Sequence, residues 1–327
     1  MAGKFQIIPL GKEAEWNDSL HDVPHSFTHT HEYCKAMHFT TDLDTFLFVY
    51  KYEGIKIICP LTERFISGYV EITKTNGITG FTGNGFHPGF NKAWIEFVKG
   101  NNYVTGYLGV HPLFEQSSLF PKNDQFHYTD VYCLDLTPPL ESILSGMSRK
   151  RRKEIKQERL TDNLVSEKNQ FTHFFIDHYD EFLHYKKASK DYYLTPETMP
   201  YLIKSENVYG IGFSENGQLT SVLLFAKSPY LGDSLIYCSL PGENKQSAIL
   251  YWDNILKLKY LGIPTLNLGG ATSSGLVSFK KRFGATSLPM FSVKQIYRKD
   301  VYKKLCYENN VNPEVTNGYF PSYHSKM

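Results

Sequence analysis

The stretch VYGIGFSENGQLTSVLLFA (208–226) decides the fold. Two apolar runs, VYGIGF and SVLLFA, flank a Ser-Glu-Asn-Gly turn at 214–217, which is the signature of a β-hairpin. The same pattern occurs earlier. FLFVY (46–50) leads through a turn at Lys51–Gly54 into IKIICPL (55–61). In both places a further apolar stretch follows, then an amphipathic helix. The first helix is FNKAWIEFVKG (90–100). The second is SAILYWDNILKLKYLG (247–262), with Ala248, Trp252, Ile255 and Lys259 on one stripe and Ile249 and Leu256 beside it. Each helix is followed by a strand, YVTGYLGV (103–110) and TLNLGG (265–270). The turn glycine and the helix-ending glycine are 46 residues apart in the first case (Gly54, Gly100) and 45 in the second (Gly217, Gly262).

Helical segments precede both hairpins, at 27–38 and at 172–187 with 195–205. The last opens on Thr195-Pro196-Glu197, a capping residue followed by proline at the first helical position. Helix, hairpin, strand, helix, strand, twice over, predicts two similar α/β (α+β) domains, each a mixed, mostly antiparallel sheet flanked by helices. The expected division is 1–138, a connecting basic helix at 139–160, and 161–327. In the connector, Thr137 is a candidate cap, and Pro138 and Pro139 end the strand that finishes at Leu136. Leu140, Ile143, Leu144 and Met147 then form a helical stripe that runs into five basic residues, Arg149–Lys153, with Lys156 and Arg159 beyond.

Composition limits the function. The 327 residues are 41% hydrophobic and 15% aromatic, which excludes collagen-like, coiled-coil and low-hydrophobicity chains. A net charge of +2 carries no global nucleic-acid signature, so a polyanion site would have to be local. The five cysteines (34, 59, 133, 238, 306) form no CxxC pair, which argues against a disulfide framework and a cysteine zinc site. MAGKFQIIPLGKEAEW lacks a long apolar core of the secretory type, and no run of about 18 apolar residues occurs. The expectation is a cytoplasmic enzyme without a transmembrane segment.

Four local stretches carry a resemblance. NLGGATSSGLVSFKKRFGA (267–285) has a strand ending Leu-Gly-Gly, a short loop, then Leu-x-x-Phe-Lys-x-x-Phe-Gly. SRKRRKEIKQ (148–157) has Arg152 and Ile155 in an Arg-x-x-Ile pattern. YLGVHPLFEQ (107–116) and the glycine-rich GFTGNGF (80–86) are weaker matches. Together they resemble the FemAB-like branch of the GNAT acyltransferase superfamily, over about 80–285. That branch contains peptidoglycan-bridge aminoacyltransferases, leucyl/phenylalanyl-tRNA–protein transferases and acetyltransferase-like proteins of polysaccharide gene clusters. The resemblance implies two tandem GNAT-like domains. It also implies transfer of an acyl or aminoacyl group from acyl-CoA or aminoacyl-tRNA, used as co-substrate with no bound cofactor. The acceptor would be a small-molecule or glycan-linked amine of a cell-envelope or polysaccharide precursor, with tRNA a possible partner.

Such a reaction needs a neutral amine, donors aimed at the developing oxyanion, and a hold on the donor's carrier. Lys280 is the first candidate: the resemblance assigns the lysine of this motif to transition-state stabilisation. A solvated basic turn at Lys280–Arg282 is the plain alternative. Gly269 and Gly270 allow close backbone approach or simply a tight turn, and Phe279 flanks the lysine. Tyr237 and Ser239 lie on the strand that, in a GNAT fold, runs beside the donor. Ser247 and Ala248 open a helix whose amides can meet phosphate, although the glycine-rich pyrophosphate loop of CoA-dependent relatives is missing from Pro241–Ala248. His111 is a candidate general base or a structural strand-end histidine. Arg152 and Lys156 share a helix face suited to phosphate or to solvent. Asp135 is read as a buried carboxylate that takes a proton or caps the next helix. Histidines 21, 25, 29, 31 and 38 match no HExxH spacing, so no metal is expected. The competing readings are a tRNA-dependent aminoacyltransferase of peptidoglycan-bridge type and a non-catalytic GNAT-like binding module.

Overall fold

The computed structural model describes residues 3–114, 116–158, 163–242, 246–315 and 318–325. In chain order the first half holds β1 (Lys4–Pro9), α1 (Glu13–Leu20), α2 (His31–Thr41), β2 (Asp44–Tyr52), β3 (Ile55–Ile66), β4 (Tyr69–Lys74), β5 (Thr82–Gly83), α3 (Phe90–Gly100), β6 (Thr105–Gly109) and β7 (Gln125–Asp135). Two short helices, α4 (Leu140–Gly146) and α5 (Arg149–Glu158), connect the halves. The second half holds β8 (Leu164–Val165), α6 (Lys168–Tyr185), α7 (Thr198–Lys204), β9 (Val208–Glu215), β10 (Gln218–Lys227), β11 (Gly232–Ser239), α8 (Ser247–Tyr260), β12 (Thr265–Gly270), α9 (Ser274–Lys281), β13 (Thr286–Ile296) and α10 (Lys299–Glu308).

All the strands join one sheet in the order β1-β2-β3-β4-β6-β13-β7-β12-β11-β10-β9-β8, with β5 on β3. The hairpins form where the turn chemistry places them. Asn216 and Gly217 both take positive φ (51° and 77°) between the paired residues Glu215 and Gln218, the two-residue turn whose twist matches that of the flanking strands. The run FLFVY is apolar at every position because both faces of β2 are covered. Phe46 and Phe48 pack with Trp94 and Phe97 of α3, while Leu47 and Val49 pack with Trp16 of α1 and Met37 of α2. Helices α1, α2, α6 and α7 cover one face of the sheet. Helix α3 covers the other face in the first half, and α8 with α4 and α5 in the second.

The halves exchange their last strands. β7, which closes the first half, pairs with β12 of the second; β13, which closes the second, pairs with β6 of the first. β7 and β13 pair with each other at the centre. The expected boundary at 138 follows β7, and that at 160–161 lies outside the described residues, as does Arg159.

Local expectations change at three points. The connecting helix is broken in two at Met147–Ser148, where the Ser148 hydroxyl accepts from Arg151 N–H and the Ser148 N–H donates to Arg282. Thr137 does not cap α4; Pro139 holds that position, and the Thr137 hydroxyl donates to Asp135 instead. Helix α7 starts at Thr198 rather than after Thr195, whose hydroxyl contacts Thr198 and the Phe39 carbonyl. No helix among the described residues is long and apolar enough to cross a membrane.

Candidate functional site

Each half contains one pair of parallel strands that touch briefly and then diverge. β4 and β6 pair at Ile72–Gly106 and Thr73–Tyr107; β11 and β12 pair at Gly232–Leu266 and Asp233–Asn267. A V-shaped opening follows each contact, and the two openings differ. The first is filled by its own chain. Phe81 N–H donates to Gly109 (2.9 Å) and His111 N–H donates to Phe81 (3.3 Å). A side-chain carbon on Gly80 would lie 2.5 Å from the Gly109 backbone. Gly80 and Phe81 therefore plug this opening, and Thr82–Gly83 go on to pair with β3. In the second opening the outer edge of β11 beyond Asp233 pairs with no strand among the described residues.

Lys280 stands over the end of β12, past the point where β11 and β12 part, with β7 beside it. It lies on α9, 94% buried, and its ammonium donates to the carbonyl of Gly270 at the end of β12. Burial pulls its pKa down to about 8, with a smaller opposing effect from Cys133, so it stays largely cationic at neutral pH. The Tyr132 ring centroid is 5.9 Å from its nitrogen. Gly269 takes φ +79°, and a side-chain carbon there would sit 3.5 Å from the Lys280 nitrogen. Behind α9, Phe279 packs edge-on to Tyr251 of α8 (5.3 Å) and to Phe283 (5.4 Å). Arg151 of α5 is stacked on Phe279 and Phe283 at 4.5 and 4.2 Å. It also donates to the Phe279 carbonyl (3.3 Å) and to Glu154 (3.0 Å).

Lys280, Gly269 and Gly270 thus lie together at the end of β12, with Phe279 beside the lysine on α9; Tyr237 and Ser239 are on β11, and Ser247 and Ala248 open α8. Gln246, just before α8, donates to the Glu215 carboxylate (3.1 Å). A carboxylate thus stands beside the helix end that would meet a pyrophosphate. Residues 243–245 lie outside the described residues.

The other candidates lie elsewhere. His111 is in the plugged first opening, buried between His29 (5.5 Å) and Phe114 (4.4 Å), and burial holds its pKa well below the usual imidazole value. Arg152 donates to the carbonyls of Ser145 (2.8 Å) and Met147 (2.6 Å), closing the end of α4 rather than facing solvent with Lys156. Asp135 is exposed, not buried. The Thr137 N–H and hydroxyl hold its carboxyl below the usual range, so it does not take up a proton near neutrality, and it caps no helix. No group of three His, Cys, Asp or Glu side chains among the described residues is placed to hold a metal ion.

Sequence reasoning passed over Arg151, one residue from its choice. Met147, Arg151 and Ile155 recur every four residues on an inward stripe, which was the available signal. It also passed over Asp233 and Asn267, the last paired residues before β11 and β12 part. A lone carboxylate inside the strand GDSLIYCS marks the first of them.

No protein-family model matches the chain, and neither does any curated protein. Solved structures do match. A structure of FemX superposes with a TM-score of 0.66, covering 93% of this chain and 99% of that one at 10% identity. The fold is that of FemX. The FemX-type arrangement recurs in a conserved protein of unknown function from Bacteroides thetaiotaomicron (TM-score 0.61, 9% identity, 90% and 100% covered). It also recurs in L-PGS from Bacillus licheniformis (TM-score 0.57, 14% identity, 86% and 91% covered). At these identities the likeness is one of fold, and the site rests on the residues above.

Proposed function

We propose that the chain is an N-acyltransferase: an amine attacks the carbonyl of an acyl or aminoacyl donor lying in the β11–β12 opening, and Lys280 stabilises the oxyanion. The observation that carries this reading is the buried Lys280 ammonium, fixed by the Gly270 carbonyl at the end of β12, just past the last residues that β11 and β12 pair. A cation held in place before reaction, in surroundings poor in water, stabilises developing negative charge without reorganisation. The attacking nitrogen loses its proton and the thiol or ribose hydroxyl of the carrier leaves with one, so no covalent enzyme intermediate is needed. The preferred acceptor is an amine on a cell-envelope or polysaccharide precursor, with Arg152 serving the connector's shape rather than ligand contact.

Of the two donor classes, aminoacyl-tRNA has more support. Glu215 beside α8 opposes the pyrophosphate of CoA, and Arg149, Lys150, Lys153 and Lys156 are exposed on α5. Next to α5, Ser148, Ser274, Ser278, Lys281 and Arg282 line an open depression of about 550 Å³. Incubation with acyl-CoAs and with bulk aminoacyl-tRNA, with amine acceptors present and products read by mass spectrometry, tests both donors. Lys280→Ala should lower kcat about 100-fold or more, the scale of losing one oxyanion donor. Unchanged turnover in that variant would remove Lys280 from the chemistry. Absence of transfer from either donor would favour a binding module.

A further inference from the structure

The apex of the open V carries a hydrogen-bonded chain that begins in the other half of the protein. Phe27, in the short 3-10 turn before α2, donates its N–H to Asp233 Oδ2 at 3.1 Å. Asn267 Nδ2 donates to Asp233 Oδ1 at 3.0 Å. Asn267 Oδ1 in turn accepts from Gly269 N–H at 2.8 Å. The β12–β7 ladder breaks between Asn267 and Gly270, so Gly269 sits in a bulge without ladder support, and the Asn267 amide supplies the bond instead. The next carbonyl, Gly270, receives the Lys280 ammonium. Asp233 and Asn267 are 3% and 2% exposed, so this chain is sealed from water. A second tie runs alongside it: the Ser228 hydroxyl, ahead of β11, donates to the His25 carbonyl at 2.5 Å.

We propose that Asp233 and Asn267 are positioning residues that lock the Gly269–Gly270 bulge, and so set where Lys280 presents its ammonium, with Phe27 anchoring the pair to the first half. The proposal rests on the acyl-transfer reading for its catalytic consequence, but its structural content concerns Lys280 alone. Asp233 can only accept in its ionised form, and the Asn267 amide donates from its nitrogen end and accepts at its oxygen end. The pair is therefore directional. Burial pushes the Asp233 carboxyl up to about 6, which leaves it ionised at neutral pH and able to accept both bonds.

Directionality provides the test. In Asp233→Asn one donor must face another donor, at Phe27, at Asn267 or at Gly269, whichever way the amides turn. In Asn267→Asp two carboxyls face each other. The reciprocal double variant satisfies every bond again: the new amide at 233 accepts from Phe27 and donates to the new carboxylate at 267, which accepts from Gly269. The first readout is the rate at which an amine-acetylating reagent modifies Lys280, by peptide mass spectrometry, with exposed Lys281 as internal reference. Both single variants should change that ratio by about 5-fold or more, and the double variant should return it to within about twofold of the original, since small displacements have large effects on presented groups. The second readout is steady-state kinetics. The singles should lose about 10- to 100-fold in kcat with donor KM nearly unchanged, and the double should recover.

An unaltered Lys280 ratio in folded single variants overturns the proposal, as does a folded double variant that fails to restore it. A single variant that does not fold is replaced by Asn267→Ala, which frees Gly269 without placing like groups face to face; an unaltered ratio there is equally decisive against it. If the ratio responds and recovers as described while the parent protein transfers no acyl group, the positioning stands and the acyltransferase reading falls.

Discussion

Arg151 lies over the ring of Phe283 with its guanidinium carbon 4.2 Å from the ring centroid, and only about 2% of the residue is exposed. The flat cation joins α5 to α9 through two aromatic faces and the Phe279 carbonyl, and so holds the helix that carries Lys280. Arg151→Ala should destabilise the fold by about 3 kcal/mol, from lost stacking, a lost carbonyl bond and a stranded Glu154. Arg151→Lys should recover less than half of this, because an ammonium cannot stack as a plane. Urea unfolding of both variants measures the difference.

Lys280 exacts a cost in stability. Its folded pKa of about 8 lies below the ordinary 10.5, so between those values the unfolded chain binds more protons and stability rises with pH. Below pH 8 the penalty for burying the charge is complete. Lys280→Met should therefore raise stability at pH 7 by up to about 3 kcal/mol, less the lost bond to Gly270, while abolishing transfer. The stability gap between parent and variant should narrow from pH 8 to pH 10.5 in paired denaturant titrations.

His29 is wholly buried with a pKa of about 4, lowered chiefly by burial, and donates from Nε2 to Gly80 at 2.8 Å while Nδ1 accepts from Ser26. It folds as the neutral ring, as does His111. The unfolded chain takes up protons below about 6.5, so stability should fall between pH 6.5 and 4, by up to about 3 kcal/mol from His29 alone. Asp233 works in the opposite direction below pH 6, because burial raises its folded pKa. A His29→Asn, His111→Asn double variant should show a flatter dependence of unfolding free energy on pH in this range.

Glu71 is 1% exposed and faces Arg64 (2.6 Å), His324 (2.8 Å) and the Tyr323 hydroxyl (2.5 Å). Burial alone would raise its pKa, but the His324 bond and the charge of Arg64 outweigh that and hold it low. Glu71→Gln should cost about 3–5 kcal/mol, since it leaves Arg64 without its counter-charge. Limited proteolysis should then release the segment around Tyr323 and His324 first, detected by mass.

Much of the fold was legible because hairpin turns and amphipathic helices are local. The turn ending at Asn216–Gly217 read directly, and α3 has the predicted ends, Phe90 and Gly100. The strand exchange was not legible: β7 and β13 are apolar strands in either topology, and only long-range pairing says which neighbour each takes. The same limit governed the site. Lys280 was singled out through its motif, and its burial could not be read from the sequence. Arg151 and Arg152 differ by one position on a helix, and only the tertiary packing shows which one turns inward. Asp135 looked buried because Leu134 and Leu136 are, yet the strand alternation puts it outside.

The exchange of β7 and β13 has a consequence for how the protein can be divided. A cut in the connector leaves each fragment with a strand that belongs against the other's sheet edge and an edge of its own left bare. Neither fragment then has a closed core, and an uncovered strand edge invites aggregation. The two halves share one sheet and are not independent folding units. They should unfold in a single transition, and separately produced fragments should become soluble only when they are made together.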